Sequence, residues 1–528
     1  MRNEFVFFSI ISLGLVLVIS QFLWPPIGWS LIILIPVLAL GYYDMIQTQH
    51  TVMRNFPVLG RGRYIFEALR PKIYQYFVES DTDGKPIPRI YRSIVYQRAK
   101  NVISTTPFGT QMDVYADGYE WISHSIAAIP MSEMDLHPRV RVGGKDCLQP
   151  YDLSVFNIGA MSYGALSDRA VLALNGGAKE AGFAHNTGEG GISPYHITPG
   201  GDLIFQIGTG YFGCRDKNGR FDPLLFRDKA EMETVKMIEI KLSQGAKPGH
   251  GGILPAIKNT PEIAKIRHLT PGTEVESPSY HTAFDSPVGL LEFIQQLREL
   301  ANGKPIGFKL CVGRPSEFIA ICKAMVETGI LPDFISVDGG EGGTGAAPLE
   351  FTNSVGMPYR EGLTFVHDML RGFGLRDEIK ILASGKIMTG FSIFRARALG
   401  ADACYSARGM MLALGCIQAL ECNLNTCPTG ITTHNKELVA GLHVPDKTKR
   451  VANFHMQTVY NFVELMAASG KRNPQEILRK DVFSRVSQQE VRSMEDLYPS
   501  VAYGSFKYGE IPEKWKGEFE YARMNSFE

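Results

Sequence analysis

The chain carries no excess of either charge: Lys+Arg and Asp+Glu each number 54 in 528 residues. That balance offers no basic footprint for nucleic acid, and no nucleic-acid partner is expected. Paired C-x-x-C motifs are missing as well, and zinc sites are usually built from such pairs or from added histidines. No Ala-x-Ala-like cleavage site closes the apolar N-terminus, so an export signal and a disulfide framework are not the expected reading of the eight cysteines. What the chain does have is glycine, 54 residues of it, and 45% hydrophobic residues. The length fits two or three folding units with a large core, and the glycines fit many tight loops that approach a ligand closely.

Two long apolar runs open the sequence. Phe5 to Trp24 is twenty residues without a charge, enough to cross a bilayer as a helix, and Pro25 and Pro26 end it. A second uncharged run, Ile27 to Tyr43, contains Pro36, which a membrane helix tolerates. Together they read as a helical hairpin over 1–46. A cleaved signal peptide and a buried core helix are the alternatives. Arg54, Arg61, Arg63, Arg70 and Lys72 follow the second run, so both termini and the bulk of the chain are expected in the cytoplasm, tethered to the cytoplasmic membrane. From 47 to 150 the pattern is irregular and reads as a cap or wrap without assigned chemistry.

Cys416, Cys422 and Cys427 crowd into a dozen residues, and the last opens a Cys-Pro-Thr-Gly turn. Three soft sulfur ligands at this spacing suit an iron–sulfur cluster, and a Pro/Gly turn can wrap backbone amides around cluster sulfurs. Inert buried cysteines are the alternative. The other five, Cys147, Cys214, Cys311, Cys322 and Cys404, are scattered singly and read as buried free thiols.

From Leu153 onward short apolar runs alternate with amphipathic stretches. The expected strands are Leu153–Ile158, Phe183–His185, Leu203–Ile207, Met237–Leu242, Ile306–Cys311, Phe334–Val337, Ile379–Ala383 and Ala403–Ser406, with helices such as Ser167–Ala181, Pro315–Thr328 and Gly390–Leu399 between them. Eight strand–helix repeats predict an α/β fold of the (β/α)8 TIM-barrel type over 151–449. A doubly wound sheet is the rival, but no dinucleotide fingerprint follows the first strand. A helical extension is expected over 450–528, with Arg450–Ser487 helical and a polar tail after it.

The glycine-rich loops fall at the C-terminal ends of these strands, where barrels carry their sites. Gly342, Gly343, Gly385 and Arg408 form a candidate phosphate cradle, although any single glycine can be a plain turn. Lys309 would point into the barrel mouth, where a lysine can hold negative charge on the edge of a reduced flavin; pairing to a carboxylate is the alternative.

Six motifs in order, GAMSYGALS (159–167), NTGEGG (186–191), QGAKPG-x-GG (244–252), RHLTPG (267–272), GGTGA-x-P (342–348) and C-x5-C-x4-C-P-x-G, resemble the synthase domain of glutamate synthases over Tyr151 to His434. The whole chain resembles the short, membrane-anchored FMN-binding members of that family. The resemblance implies FMN and a 3Fe–4S cluster on Cys416, Cys422 and Cys427. It implies that Ala160, Met161 and Ser162 join Lys309, Gly342, Gly343, Gly385 and Arg408 around the cofactor. It implies that Lys241, Lys247 and Arg267 meet the carboxylates of 2-oxoglutarate, as a dicarboxylate requires. Solvated surface lysines are the alternative. Glu189 matches a glutamate near the ammonia entry, where it could stabilise ammonium or handle a proton, or simply brace its loop; Glu189 and Lys247 are the expected catalytic residues.

The sequence also departs from the family. GGQLPG reads GGILPA, so Ile253 replaces an amide that could hydrogen-bond the substrate. The D-G-G before a late helix reads Ser384-Gly385-Lys386. A glutaminase domain with an N-terminal cysteine is not expected, nor is a C-terminal β-helix. The expected reaction is electron flow from a donor (a ferredoxin or a reductase subunit) through cluster and FMN to a 2-oxo or imino acid, with ammonia or a small amine. The alternatives are a membrane-linked 2-hydroxy or 2-amino acid dehydrogenase and a non-catalytic electron-transfer subunit.

Overall fold

A computed structural model describes residues 1–102 and 105–527. The chain forms two compact units, Met1–Arg89 and Ile90–Glu528. The division falls inside the irregular 47–150 segment.

In the first unit, helix α1 (Arg2–Phe22) and helix α2 (Leu31–Ile46) are joined by a 3-10 turn at Pro25–Ser30. Both apolar segments, Arg2–Phe22 and Pro25–Ile46, are long and apolar enough to cross a membrane, and very little of either is buried. Pro36 lies within α2 without ending it. Asp44, in the last turn of α2, is fully buried and accepts from Arg61 Nη2 at 2.6 Å, Arg61 Nε at 3.0 Å and the Val58 amide at 3.0 Å. A buried carboxylate is tolerable only with such saturation. Sequence pattern found no order beyond α2, yet Gly60–Ile73 is a helix, α3, followed by one π-helical turn at Tyr74–Val78.

The second unit is built on a closed parallel barrel of eight strands in sequential order. They are β1 (Phe156–Ile158), β2 (His185–Asn186), β3 (Leu203–Ile207), β4 (Val235–Lys241), β5 (Ile306–Leu310), β6 (Phe334–Asp338), β7 (Lys380–Ser384) and β8 (Ala403–Ser406). Seven of the eight lie within a residue or two of the expected runs, and the helix over Pro315–Thr328 has the expected bounds. Nearly every strand residue is buried, as a parallel sheet covered on both sides requires. Helix α4 (Asp168–Ala181) starts on Ser167, whose Oγ accepts from the Ala170 amide, and ends on Gly182 at φ 67°.

Two departures are instructive. The run Leu153–Ile158 is two strands: Tyr151–Ser154 pairs antiparallel with Arg139–Val142, and only Phe156–Ile158 enters the barrel. Of the expected helix over Arg450–Ser487, only the first part is α-helical, within α5 (Val444–Ala468). Beyond it, Val482–Arg485 pairs with Glu120–Ile122 on one side and Val491–Ser493 on the other, in a three-stranded sheet.

Candidate active site

The mouth of the barrel gathers the charged residues singled out from sequence. Lys241 ends β4 and Lys309 lies in register with it on β5. Glu189, in the loop after β2, meets Lys241 with Oε1 2.7 Å from Nζ. Lys309 faces Asp338 at the end of β6, 3.5 Å away. Burial pushes the Glu189 carboxyl up, but Lys241, Arg267 and Lys247 outweigh it and hold the group below its ordinary value. Burial lowers Lys241, which Glu189 opposes and the neighbouring Lys309 reinforces. Burial also disfavours the charge on Lys309, yet Asp338, Glu239 and Glu189 more than offset it and raise its pKa. Lys309 therefore remains a cation.

Glycines clear the space around Glu189 and Arg267. A Cβ on Gly208 would strike Glu189 Oε2, and one on Gly252 would lie 2.9 Å from Oε1. A Cβ on Gly190 would lie 2.9 Å from Arg267 Nη2, and one on Gly164 2.7 Å from it. Glu189 Oε2 is buried with no partner among the described residues. Arg267 donates from Nη2 to the Tyr163 carbonyl at 2.9 Å and weakly to Ser162 Oγ at 3.4 Å, with its guanidinium 5.1 Å from the Phe212 ring centre. Its Nε has no partner among the described residues, and burial lowers its pKa to about 10. Lys247 is buried with one long contact, 3.4 Å to the Ala346 carbonyl, and burial brings it down to about 8 against the pull of Glu189. The structure thus gathers Glu189, Lys241, Lys247 and Arg267 into one electrostatically coupled group. A buried set with spare donors and one spare carboxylate oxygen suits a small polar ligand.

Of the residues expected from sequence to hold a cofactor, Met161 and Ser162, with Ala160 before them, back onto the NTGEGG loop: a Cβ on Gly188 would lie 2.7 Å from the Ser162 amide nitrogen. Gly342 packs on the 244–249 loop, where a Cβ would lie 2.8 Å from the Ala246 nitrogen, and Gly343 lies against the Arg408 guanidinium. Gly385 lies under the ring of Tyr359, with room for no side chain: a Cβ would be 2.6 Å from the ring. Loops cleared of side chains in this way are what a phosphate or flavin ring needs for close backbone approach.

The same loop reaches the cysteines. A Cβ on Gly345 would lie 2.9 Å from Cys422 Cβ. Burial lowers the pKa of Arg408, while Cys422 and Cys416, both within electrostatic reach, pull it back up. Burial and the neighbouring Cys422 and Cys427 raise the Cys416 thiol to about 11. Burial raises Cys427 too, but Thr429 and Thr432 outweigh it and bring the thiol down to about 7. Gln418, Leu420 and Asn425 all adopt positive φ, so this short segment coils tightly. Among the described residues no three His, Cys, Asp or Glu side chains converge as one metal ion would require. The three thiols lie within electrostatic reach of one another, with Arg408 close to Cys416 and Cys422.

Three residues escaped the sequence reading. Glu239, two residues before Lys241 and on the same face, sits inside the barrel and accepts from Asn186 (2.9 Å), Gln206 (2.6 Å), Ser336 (2.5 Å) and Tyr405 (3.4 Å). Its signal was an acid flanked by isoleucines in the run IEIKL. His281 donates Nε2–H to the Lys241 carbonyl at 2.9 Å, so Nδ1 accepts from the Tyr211 hydroxyl at 3.0 Å; burial holds it neutral, at about 4. Lys258 donates to the carbonyls of Cys422 (2.8 Å) and Thr432 (2.9 Å), pinning the cysteine segment.

Comparison with known proteins places this geometry. The family model described as a conserved region in glutamate synthase matches residues 139–472. A glutamate synthase large subunit-like protein, YerD, of Bacillus subtilis is 35% identical over 508 residues, covering 88% of this chain and 96% of its own.

The chain belongs to the glutamate synthase family.

An archaeal glutamate synthase [NADPH] of Methanocaldococcus jannaschii is 38% identical over 315 residues, 59% of this chain, and the match spans 58% of that relative's length. Among solved structures, a mandelate oxidase aligns at 13% identity over 82% of this chain and 96% of its own, with a TM-score of 0.42. As a glutamate synthase family member, the chain is an oxidoreductase of the glutamate synthase type, and the family favours FMN for its barrel.

Proposed function

We propose that this chain is a membrane-tethered, FMN- and 3Fe–4S-dependent enzyme that converts a 2-oxo dicarboxylate and ammonia, or a small amine, into a 2-amino acid. Conversion of 2-oxoglutarate to glutamate is the form that family membership favours. The observation that carries the reading is the coupled group Glu189, Lys241, Lys247 and Arg267 beside a glycine-cleared loop that also touches Cys422.

Gly342, Gly343, Gly385 and Arg408 would hold the FMN phosphate, with Ala160, Met161 and Ser162 along the ring and Lys309 at its edge. Cys416, Cys422 and Cys427 would hold the cluster. Bound there, the two groups supply electron relay from a donor, a ferredoxin or reductase subunit, and hydride delivery to the substrate carbon.

The side chains do the rest. Arg267 and Lys247 supply cationic donors for carboxylates, and the buried site makes each pairing stronger than it would be in water. Glu189, held ionised, suits an incoming ammonium, and its spare Oε2 can take the proton that ammonium must lose before its nitrogen attacks a carbonyl. His281, kept neutral, holds the Lys241 backbone and hence the end of β4. Water loss from the resulting carbinolamine needs a proton donor, and Lys247, near its midpoint at about 8, is suited to that step. The hairpin, read as a membrane anchor with its ends in the cytoplasm, favours a second direction: oxidation of a 2-hydroxy or 2-amino acid with electrons passed to a membrane acceptor.

The test is anaerobic photoreduction of the purified protein, then re-oxidation by a panel of 2-oxo acids with and without ammonia. Ammonia-dependent re-oxidation by 2-oxoglutarate supports the synthase direction. A colourless protein, or one that no 2-oxo acid re-oxidises, counts against it.

A further inference from the structure

We propose that α3 and its following turn, Gly60–Val78, form an in-plane helix that seats its apolar face in an anionic lipid surface. The proposal rests on the membrane reading of the hairpin and adds a lipid contact to it.

On a 3.6-residue period Ile65, Phe66, Leu69 and Ile73 share one arc of α3. All four side chains are exposed, and Phe66 and Phe77 reach 69% and 84%. Nothing in a solvated helix stabilises such a stripe. Arg63 and Arg70 border the arc on one side and Lys72 on the other, so their stems can lie along the apolar face while their charges reach headgroups. Glu67 is the single acid between Gly60 and Val78. The element is too short and too charged to be a third span: its fourteen helical residues extend about 21 Å.

Two observations favour lipid over a protein partner. The first is continuity: α3 follows directly on two helices long and apolar enough to cross a membrane. The second is the Asp44–Arg61 ion pair, which joins the last turn of α2 to the first turn of α3 and so starts α3 at the depth where the second span ends. The basic border complements anionic headgroups at that depth.

The experiment uses the full chain in vesicles of phosphatidylglycerol or of phosphatidylcholine, with a photo-crosslinking benzophenone side chain at position 15, 66, 67 or 77. Position 15 lies within α1 and reports on the hairpin alone. Lipid adducts are read by mass spectrometry. Adducts are expected at 15, 66 and 77, with yield at 67 about fivefold lower, and with yield at 66 falling about threefold in phosphatidylcholine. Adducts at 15 alone overturn the proposal and leave the hairpin standing. Protein adducts in place of lipid at 66 and 77 overturn it in favour of a protein contact. Equal yields at 66 and 67, or in the two lipids, overturn the orientation or the anionic preference. No adduct at 15 removes the hairpin reading and the proposal with it.

Discussion

Lys241 and Lys309 stand in register on neighbouring barrel strands, yet each ammonium has its own carboxylate: Glu189 at 2.7 Å and Asp338 at 3.5 Å. Two buried cations side by side repel, and the environment divides them. Lys309, flanked also by Glu239, is pushed up, and Lys241 is pulled down. The division suits a fixed charge next to a cofactor and a more responsive one next to a substrate.

Arg267→Ala removes the cation proposed to meet a substrate carboxylate in this buried site. Dicarboxylate binding is expected to weaken by about 2–5 kcal/mol, read as a rise in Kd, with flavin content unchanged. Ile253→Gln, which restores the family's amide, is expected to improve use of 2-oxoglutarate. No change from Arg267→Ala together with loss of all turnover in Ile253→Gln would move the substrate off this loop.

Burial brings Lys247 to about 8, so its charge is complete only below that pH. KM for a dicarboxylate is expected to rise as pH passes through about 8, and Lys247→Gln to flatten that limb while raising KM below it. The stability effect has the opposite sense. The unfolded chain holds this proton more tightly, so between about 8 and the ordinary lysine value the contribution of Lys247 to stability rises with pH. A pH–KM profile unaltered by Lys247→Gln excludes this residue from binding.

Cys416→Ser, Cys422→Ser and Cys427→Ser are each expected to lose iron and acid-labile sulfide. Cys404→Ser is the control, because Cys404 lies buried within β8, in register with Phe156, and should leave iron unchanged. Full iron in all three variants ends the cluster assignment.

Glu239→Gln replaces one acceptor oxygen by an NH2 donor that faces existing donors, since all four partners donate to the carboxylate. Stability is expected to fall by about 1–3 kcal/mol, the usual cost of a buried polar group left unmatched, measured by urea unfolding. An unchanged midpoint would mean that this network contributes nothing to the barrel.

The barrel was legible because each of its strands is a short apolar run followed by a helix-period stretch, a local signal. The split of Leu153–Ile158 was not, since an apolar run carries no mark of where it changes partner. Val482–Arg485 was misread as helical because its strand character depends on Glu120–Ile122, hundreds of residues away. In the site, glycine loops and cysteines advertise themselves. His281 and Lys258 act through backbone carbonyls, Lys241 for one and Cys422 for the other, and such contacts leave no pattern in sequence. Glu239 was visible as an acid flanked by isoleucines, but its meaning lies in four donors from four other strands.

The contact of Gly345 with Cys422 has a consequence for how the two segments move. The two segments meet backbone to backbone, with no side chain between them to absorb error. The cysteine segment and the loop after β6 therefore constrain each other's final shape. A side chain added at position 345 would have to displace the Cys422–Asn423 backbone, so the loop after β6 and the cysteine segment can shift only together.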